Sequence, residues 1–241
     1  MDKPCVPWLR SLEGESRALG CPVEGGVAEQ LWMFCELVAR APFRATASRS
    51  MDELRRKHVV DSLTALRPAD VKPGERLLDV GSGAGFPGLV LAIARRDVSV
   101  CLLEPIAKKA AFLEAAAAAL GVANVAVERA RAEDLGRKSR WREAADCVVA
   151  RGVAPMAVLV EYTLPLCRVG GRMVALKGPA AAAELAHARA ALSLLGAGRV
   201  VMESLRLPGG DEPRVVVRVE KSRSSPGRYP RSAAVIRRLP L

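Results

Sequence analysis

The sequence predicts an α/β protein with a mostly parallel sheet, and three features of the chain indicate this fold class. From Arg76 onward, apolar strand-like runs alternate with helical patterns, which is typical of parallel strands joined by right-handed crossovers. A glycine-rich stretch at 81–85 separates the first of these runs from a helix. Two more strand-like runs flank the turn sequence 208–211, which predicts an antiparallel hairpin at the end of the sheet.

The first strand and the loop after it form the stretch around which the other elements are arranged. The run 77–80 is apolar except for Asp79, and glycines at 81, 83 and 85 permit a tight turn. Pro87 suits the first turn of the following helix. Because glycine has no Cβ and a new helix points its free N–H groups at a ligand, the stretch predicts a site for a nucleotide-like cofactor.

The identity of this cofactor depends on two acids. The glycines read G-x-G-x-G, whereas the dinucleotide fingerprint is G-x-G-x-x-G. The next strand ends at Glu104, where an acid accepts the hydroxyls of a ribose, a group that NAD and S-adenosylmethionine share. Asp79 lies where an acid faces the charged amino group of a methionine moiety, which a dinucleotide lacks. The pattern therefore favours S-adenosylmethionine.

The chain divides into four predicted parts. An irregular lead, 1–26, precedes a small helical cap, 27–72, in which apolar residues recur at helical spacing. The α/β domain covers 73–220. The remaining residues, 221–241, hold six lysines and arginines and no acid, which predicts a basic and poorly structured tail.

Within the α/β domain the periodicity predicts seven strands and their connecting helices. The predicted strands after the glycine loop are 98–103, 125–128, 145–150, 172–176, 199–205 and 214–220, and the predicted helices are 106–120 and 179–195.

Composition limits the possible functions. Lysine and arginine total 37 against 26 acids, so the net charge of +11 favours a polyanionic partner such as RNA. The six cysteines form no C-x-x-C pair, so neither a metal site nor a disulfide framework is predicted. No signal-like or membrane-spanning segment stands out, which predicts a cytoplasmic protein, and we expect a monomer.

Five motifs follow one another along the chain. They are 79–88, 108–113 with its paired lysines, 131–134, 150–155 and 175–178. In this order they resemble the ribosomal RNA small-subunit methyltransferase G family, also named glucose-inhibited division protein B. The resemblance implies a class I S-adenosylmethionine-dependent methyltransferase: a Rossmann-like, mostly parallel seven-stranded sheet with an antiparallel terminal hairpin, plus the helical cap.

The resemblance also implies an activity and a set of cofactor contacts. The family methylates N7 of one guanine in the decoding region of 16S ribosomal RNA, so the partner is that RNA or the small ribosomal subunit. The glycine pattern and the resemblance together predict the following cofactor-binding residues: Asp79, Gly81, Gly83, Gly85, Phe86, Glu104, Ala132, Glu133 and Arg151.

No catalytic residue is assigned. Guanine N7 has a free lone pair, so no general base is required. Two interpretations of Arg151 are open. It binds an anion, which is the cofactor carboxylate or a phosphate, or it is a solvated charge at a strand end. His58 and Asp61 lie on one side of a helix that resembles a family motif, and we expect them to position that helix. Upstream, Ala-Thr-Ala at 45–47 replaces an Asn-Leu-Thr of the family.

Two other functions stay open at this stage: an NAD-dependent oxidoreductase, and a basic RNA-binding module that retains the cofactor fold. The assembly state of the RNA substrate is also open. In the tail we expect Tyr229 to stack on a base, and deletion of the tail to weaken RNA binding without changing cofactor affinity. The predicted RNA-binding residues are Arg55, Arg56, Lys57, Lys177, Arg228, Arg231, Arg237 and Arg238.

Overall fold

The structure is a computed structural model that describes residues 4–47, 49–209 and 213–241. The strands are β1 Arg76–Val80, β2 Ser99–Leu103, β3 Val125–Glu128, β4 Ala145–Arg151, β5 Cys167–Lys177, β6 Ala197–Arg206 and β7 Pro213–Lys221. The helices are α1 Val6–Ala18, α2 Gly26–Ala39, α3 Met51–Leu54, α4 Asp61–Leu63, α5 Leu66–Ala69, α6 Gly88–Ala94, α7 Ala107–Ala119, α8 Ala132–Leu135, α9 Met156–Thr163, α10 Ala181–His187, α11 Arg189–Leu194 and α12 Ala233–Arg238. A π-helical segment, Arg55–Val60, joins α3 to α4.

The seven strands form one sheet in the order β3-β2-β1-β4-β5-β7-β6. The first five strands run parallel, and β7 is inserted antiparallel between β5 and β6. This arrangement confirms the predicted α/β fold class with its antiparallel terminal hairpin. The predicted turn at 208–211 begins as a turn at Pro208 and Gly209, and residues 210–212 lie outside the described residues.

Two apolar cores cover the two faces of the sheet. Neighbouring residues of β1 face opposite sides, so Leu77 packs into one core and Leu78 into the other. The first core contains side chains of α1, α2, α6 and α7, and the second contains side chains of α9, α10 and α11. Because β1 is buried on both faces after exposed Arg76, its remaining residues are an apolar run with a single acid.

The prediction that residues 1–26 form an irregular lead is wrong, because the 13 residues of α1 occupy half of it. Its buried residues Trp8, Leu12 and Ser16 recur every four positions, which places them on one helical side. Trp8 packs edge-to-face against Trp32 of α2, with ring centroids 5.1 Å apart. A stripe of only three buried positions is a weak sequence signal, and the helix is stabilised by tertiary packing.

The cap shares its core with the sheet. Phe34 of α2 lies 5.0 Å from Phe86 of the glycine loop, measured between ring centroids, and both rings belong to the first core. The division of the chain at residues 27 and 73 therefore stays a prediction. One predicted helix, 179–195, is in fact two, because α10 ends before Ala188 and α11 begins after it.

The tail is packed, which corrects the predicted disorder of 221–241. Lys221 is buried, and its Nζ donates to the carbonyl oxygens of Leu164 and Leu195 at 2.8 and 2.9 Å. Arg142 donates to the carbonyl oxygen of Tyr229 at 2.7 Å, so it holds the tail from the other side. Tyr229 is buried and cannot stack on an RNA base as predicted. A composition rich in arginine and proline does not exclude order when donors elsewhere in the chain satisfy the backbone.

Arg231 and Glu161 form the charged anchor of the tail. Glu161, on α9, has no exposed surface, and the guanidinium Nη2 of Arg231 lies 2.7 Å from its Oε2. The Arg231 backbone N–H donates to Oε1 of the same carboxylate at 2.8 Å.

In the part of the chain that the structure describes, no helix is long and apolar enough to cross a membrane.

We expect Arg231→Ala to lower the free energy of unfolding by about 3 kcal/mol, because Glu161 then becomes a buried carboxylate without its cation. Urea denaturation measures this change. The matched control is Arg228→Ala, which removes an exposed arginine lying over the same Tyr229 ring, 5.2 Å from its centroid, and should cost less than about 1 kcal/mol. Equal losses for the two variants would contradict the anchoring function of Arg231.

Candidate cofactor site

A cleft of about 500 Å³ opens at the carboxyl ends of the parallel strands. This is where open α/β sheets bind their ligands, and the volume lies within the range of small-molecule sites. The loops after β1, β2, β3 and β4 each contribute to its walls. The lining residues are Val80, Gly81, Leu103, Pro105, Ala130, Arg131, Ala132, Glu133, Val153, Ala154, Pro155, Val158, Tyr162, Arg237 and Pro240.

The glycine loop runs from the end of β1 into α6. Gly81, Gly83 and Gly85 have φ angles of 75°, 59° and 102°, a region that residues with a side chain rarely adopt. A Cβ on Gly85 would lie 2.9 Å from the Phe34 ring, so this glycine permits the loop to pack under the cap. Gly81 alone of the three lines the cleft, where a Cβ would lie 2.9 Å from Val153.

Glu104 fastens the glycine loop to the end of β2. Its Oε2 accepts the Gly83 N–H and its Oε1 accepts the Ile106 N–H, both at 2.9 Å. The side chain is buried, with 4% of its surface exposed. Glu104 itself does not line the cleft. Each of its oxygens retains a second lone pair, the kind of acceptor to which a ribose hydroxyl donates. The position of this acid at the end of β2 agrees with the prediction from the sequence, and its two hydrogen bonds show that it also shapes the loop.

Asp79 lies fully buried beneath the loop. Its Oδ2 accepts the Gly88 N–H at 3.0 Å, at the start of α6, and its Oδ1 is buried without a hydrogen-bond partner. Burial raises the pKa of this carboxyl from 3.8 to about 7, and the hydrogen bond from Gly88 acts in the opposite direction. An unpartnered buried carboxylate oxygen at this place fits the cationic amino group that the sequence predicts, although Asp79 does not line the cleft.

The start of α8 forms part of the wall of the cleft. Ala132 and Glu133 both line it and are almost fully buried, as expected for residues that contact a flat ring. Negative charge is also favourable in the first turn of a helix. These two predicted residues and Gly81 are therefore brought together in one cleft.

Phe86 and Arg151 lie away from the cleft, at the junction between the cap and the sheet. The Arg151 guanidinium lies 5.3 Å from the Phe86 ring centroid and pairs with Asp61, 2.9 Å away. It also bonds Nδ1 of His58 at 2.7 Å. Burial, and next the charge of Arg151, lowers the pKa of His58 to about 4, so the imidazole is a neutral acceptor. The predicted positioning function of His58 and Asp61 gains a specific partner in Arg151.

Lys177 holds the loop after β4 and is not free to contact RNA. Its Nζ donates to the Ala154 carbonyl oxygen at 2.9 Å and pairs with Glu184 at 2.5 Å. Glu184 in turn accepts the Met156 N–H at 2.9 Å. Because Ala154 lines the cleft, Lys177 supports a wall of the cleft, whereas the sequence predicts that it contacts RNA.

The other predicted RNA contacts divide by exposure. Arg55 is buried and paired with Glu15, so it is removed from the set. Arg56 donates to the Gly209 carbonyl oxygen at 3.3 Å, and Arg231 is paired with Glu161. The exposed members are Lys57, Arg228, Arg237 and Arg238.

Several cleft residues carried no clear sequence signal. Tyr162 lies on the cleft side of α9, a position that only the packing of the helix determines. Arg237 and Pro240 come from the segment that was predicted to be a disordered tail. Val153 belongs to the motif 150–155, and its approach to Gly81 requires the parallel alignment of β1 and β4.

Comparison with known proteins identifies the family. The model of the GidB family, described as rRNA small subunit methyltransferase G, matches residues 29–211. The chain belongs to this family. It is 42% identical over 196 residues to "Ribosomal RNA small subunit methyltransferase G" of Moorella thermoacetica, covering 81% of this chain and 82% of that protein. It is 40% identical over 237 residues to the protein of the same name from Symbiobacterium thermophilum, covering 95% and 96%.

Solved structures show the same fold. Geranyl diphosphate methyltransferase in complex with SAM aligns with a TM-score of 0.52 at 17% identity, over 77% of this chain and 94% of that one. TrmN from Thermus thermophilus aligns with a TM-score of 0.50 at 25% identity, over 67% and 48%. With the family match, the chain is a methyltransferase enzyme of small-subunit ribosomal RNA that uses S-adenosylmethionine. The predicted cofactor is confirmed, and the oxidoreductase alternative is set aside.

We expect Glu104→Ala to raise the Kd for S-adenosylmethionine about tenfold and to lower the free energy of unfolding by about 1–3 kcal/mol, because two backbone N–H groups lose their acceptor. Calorimetric titration and urea denaturation measure the two effects. Glu114→Ala, which removes an exposed acid from α7, is the control and should change neither quantity. A Kd for Glu104→Ala equal to that of the wild type would show that the loop keeps its shape without this carboxylate.

We expect Asp79→Asn to alter the pH dependence of stability in the ligand-free protein. The folded-state pKa of Asp79 is raised to about 7, so its favourable contribution is complete below about pH 4 and is lost as the pH rises through 7. Asparagine does not titrate, so the free energy of unfolding of the variant should rise relative to that of the wild type as the pH increases from 4 to 8. Urea denaturation across this range tests it, with exposed Asp134→Asn as the control. If the difference in the free energy of unfolding between variant and wild type does not change with pH, the prediction is contradicted.

Proposed function

We propose that the chain methylates N7 of one guanine in the decoding region of 16S ribosomal RNA, using the cleft at the carboxyl edge of the sheet. The observation that carries the proposal is the convergence of Gly81, Ala132 and Glu133 on this cleft in a chain of the small-subunit methyltransferase G family. When bound, S-adenosylmethionine supplies a methyl group activated by its sulfonium.

The chain's own residues have to bind and orient the cofactor. We assign the backbone at Gly81 to close approach, Glu104 to the ribose hydroxyls, and Ala132 with Glu133 to the adenine. The unpartnered Oδ1 of Asp79 is the acceptor for the amino group. Among the predicted contacts, Gly85, Phe86 and Arg151 act indirectly, since they pack the loop and the cap against the sheet.

The protein's contribution to the reaction is alignment. An in-line displacement requires the nucleophile, the methyl carbon and the sulfur to be held on one line, which is worth several orders of magnitude in rate. Lys177 and Glu184 fix the loop after β4, and the Arg151–Asp61 pair fixes the cap above it. Guanine N7 carries no proton at neutral pH, so no side chain has to act as a base.

The RNA surface is assigned to the exposed cations. Lys57, on the cap, and Arg228 and Arg238, on the tail, are exposed, and phosphate neutralisation by such residues supplies sequence-independent affinity. We expect a monomer to be active. The substrate places the protein in the cytoplasm, with the small subunit or its RNA as the partner.

The test is methyl transfer to naked 16S RNA, partly assembled subunits and complete subunits, with a labelled methyl group. We expect label on one guanine, at a site that chemical cleavage specific for N7-methylguanine detects. Label on an exocyclic amine or on another base would overturn the proposal.

Gly83→Val is expected to abolish cofactor binding and methyl transfer. The residue at 83 has a φ of 59°, which a β-branched side chain tolerates poorly, and the strain distorts the loop at the cofactor. Gly121→Val is a matched control, because Gly121 has a φ of 61° and equally open surroundings at the end of α7, away from the cleft. Comparable loss of binding in both variants would indicate general destabilisation.

A further inference from the structure

The C-terminal segment, 231–241, forms one wall of the cofactor cleft. Arg237 and Pro240 both line the cleft, although the family match ends at residue 211. The sequence predicts RNA contact for this whole segment and no contact with the cofactor. Its position at the cleft requires another explanation.

The segment is fixed in place by its first residues. Arg231 is anchored on Glu161 of α9, and Arg137 donates from Nε to the Pro230 carbonyl oxygen at 2.9 Å. The Pro230 ring packs against Gly136, where a Cβ would lie 2.9 Å from it. Further along, Ile236 is fully buried and orients α12. The wall at the cleft is therefore part of the folded protein.

Arg237 lies near an acid and a tyrosine that also line the cleft. Glu133 and Tyr162 line the cleft beside Arg237, and both Glu133 and Arg237 act electrostatically on the Tyr162 hydroxyl. Burial raises the pKa of Tyr162, so the phenol is neutral. The cation thus lies near an acid and a neutral aromatic ring, with room for a planar ligand.

We propose that Arg237 binds the cofactor, with its planar guanidinium against the adenine ring. Guanidinium groups stack on aromatic faces, whereas an arginine beside the sulfonium would repel it. Ala132 and Glu133, assigned to the adenine, line the same cleft as Arg237, and Glu133 and Arg237 both act electrostatically on Tyr162. The proposal rests on the proposed function of the cleft and adds a residue that lies outside the matched family region.

Arg238 supplies the matched control. It is the next residue of the same helix, it is exposed, and it does not line the cleft. Successive side chains of a helix point about 100° apart, so the two arginines face different surroundings. Removing either one changes the net charge and the composition of the segment equally.

The experiment is calorimetric titration of full-length wild type, Arg237→Ala and Arg238→Ala with S-adenosylmethionine and with S-adenosylhomocysteine. Arg237→Ala should raise both Kd values about fivefold, since a stacked cation contributes about 1 kcal/mol and the adenine is common to both ligands. Arg238→Ala should leave both within twofold. Because Arg237 is exposed, the variant should fold, and its thermal unfolding confirms this.

Three outcomes would overturn the inference. If wild type binds neither ligand, the proposed function of the cleft fails with it. If wild type binds and Arg237→Ala binds equally well, the cleft keeps its function and Arg237 is not a cofactor contact. If only the affinity for S-adenosylmethionine changes, Arg237 acts on the sulfonium charge and not on the adenine.

Discussion

The architecture depends on how closely the glycine loop approaches its neighbours. At the start of α6 a Cβ on Gly88 would lie 2.5 Å from the Asp79 carboxylate, and at Gly85 a Cβ would meet the Phe34 ring. These close contacts allow the start of α6 to pack against the end of β1 and the cap to pack against the loop between them. The shape of the cleft follows from them, because Gly81 lines it and Glu104 holds the next turn of the loop through Gly83. A larger residue at either close contact would separate these layers.

Charged residues at the centre of the molecule serve mainly to connect its parts. Arg151 joins β4 to the cap through Asp61, Lys177 joins β5 to the loop after β4, and Arg231 joins the tail to α9. In each case a cation lies where elements distant in sequence meet, and it satisfies acceptors that would otherwise be buried alone. A net positive charge is therefore a poor guide to which cations contact RNA, since part of the excess is used inside the protein.

The tail illustrates how function depends on packing. Its arginines have the same chemistry, yet Arg231 is paired with a buried acid, Arg237 lines the cleft and Arg238 is exposed. Exposed cations and one wall of the cleft thus come from one short segment. This arrangement brings the cofactor cleft and the exposed basic residues of the tail next to each other.

The sequence by itself determined the α/β fold, the glycine loop, the acid at the end of β2 and the family, because these features are encoded in local periodicity and in motifs of fixed spacing. It did not reveal α1, because its stripe of Trp8, Leu12 and Ser16 becomes buried only when the helix packs against α2. Nor could it separate Lys177 and Arg55, which are internal, from exposed Lys57. Which partner a long cation meets depends on residues tens of positions away, and only the tertiary structure decides that contact.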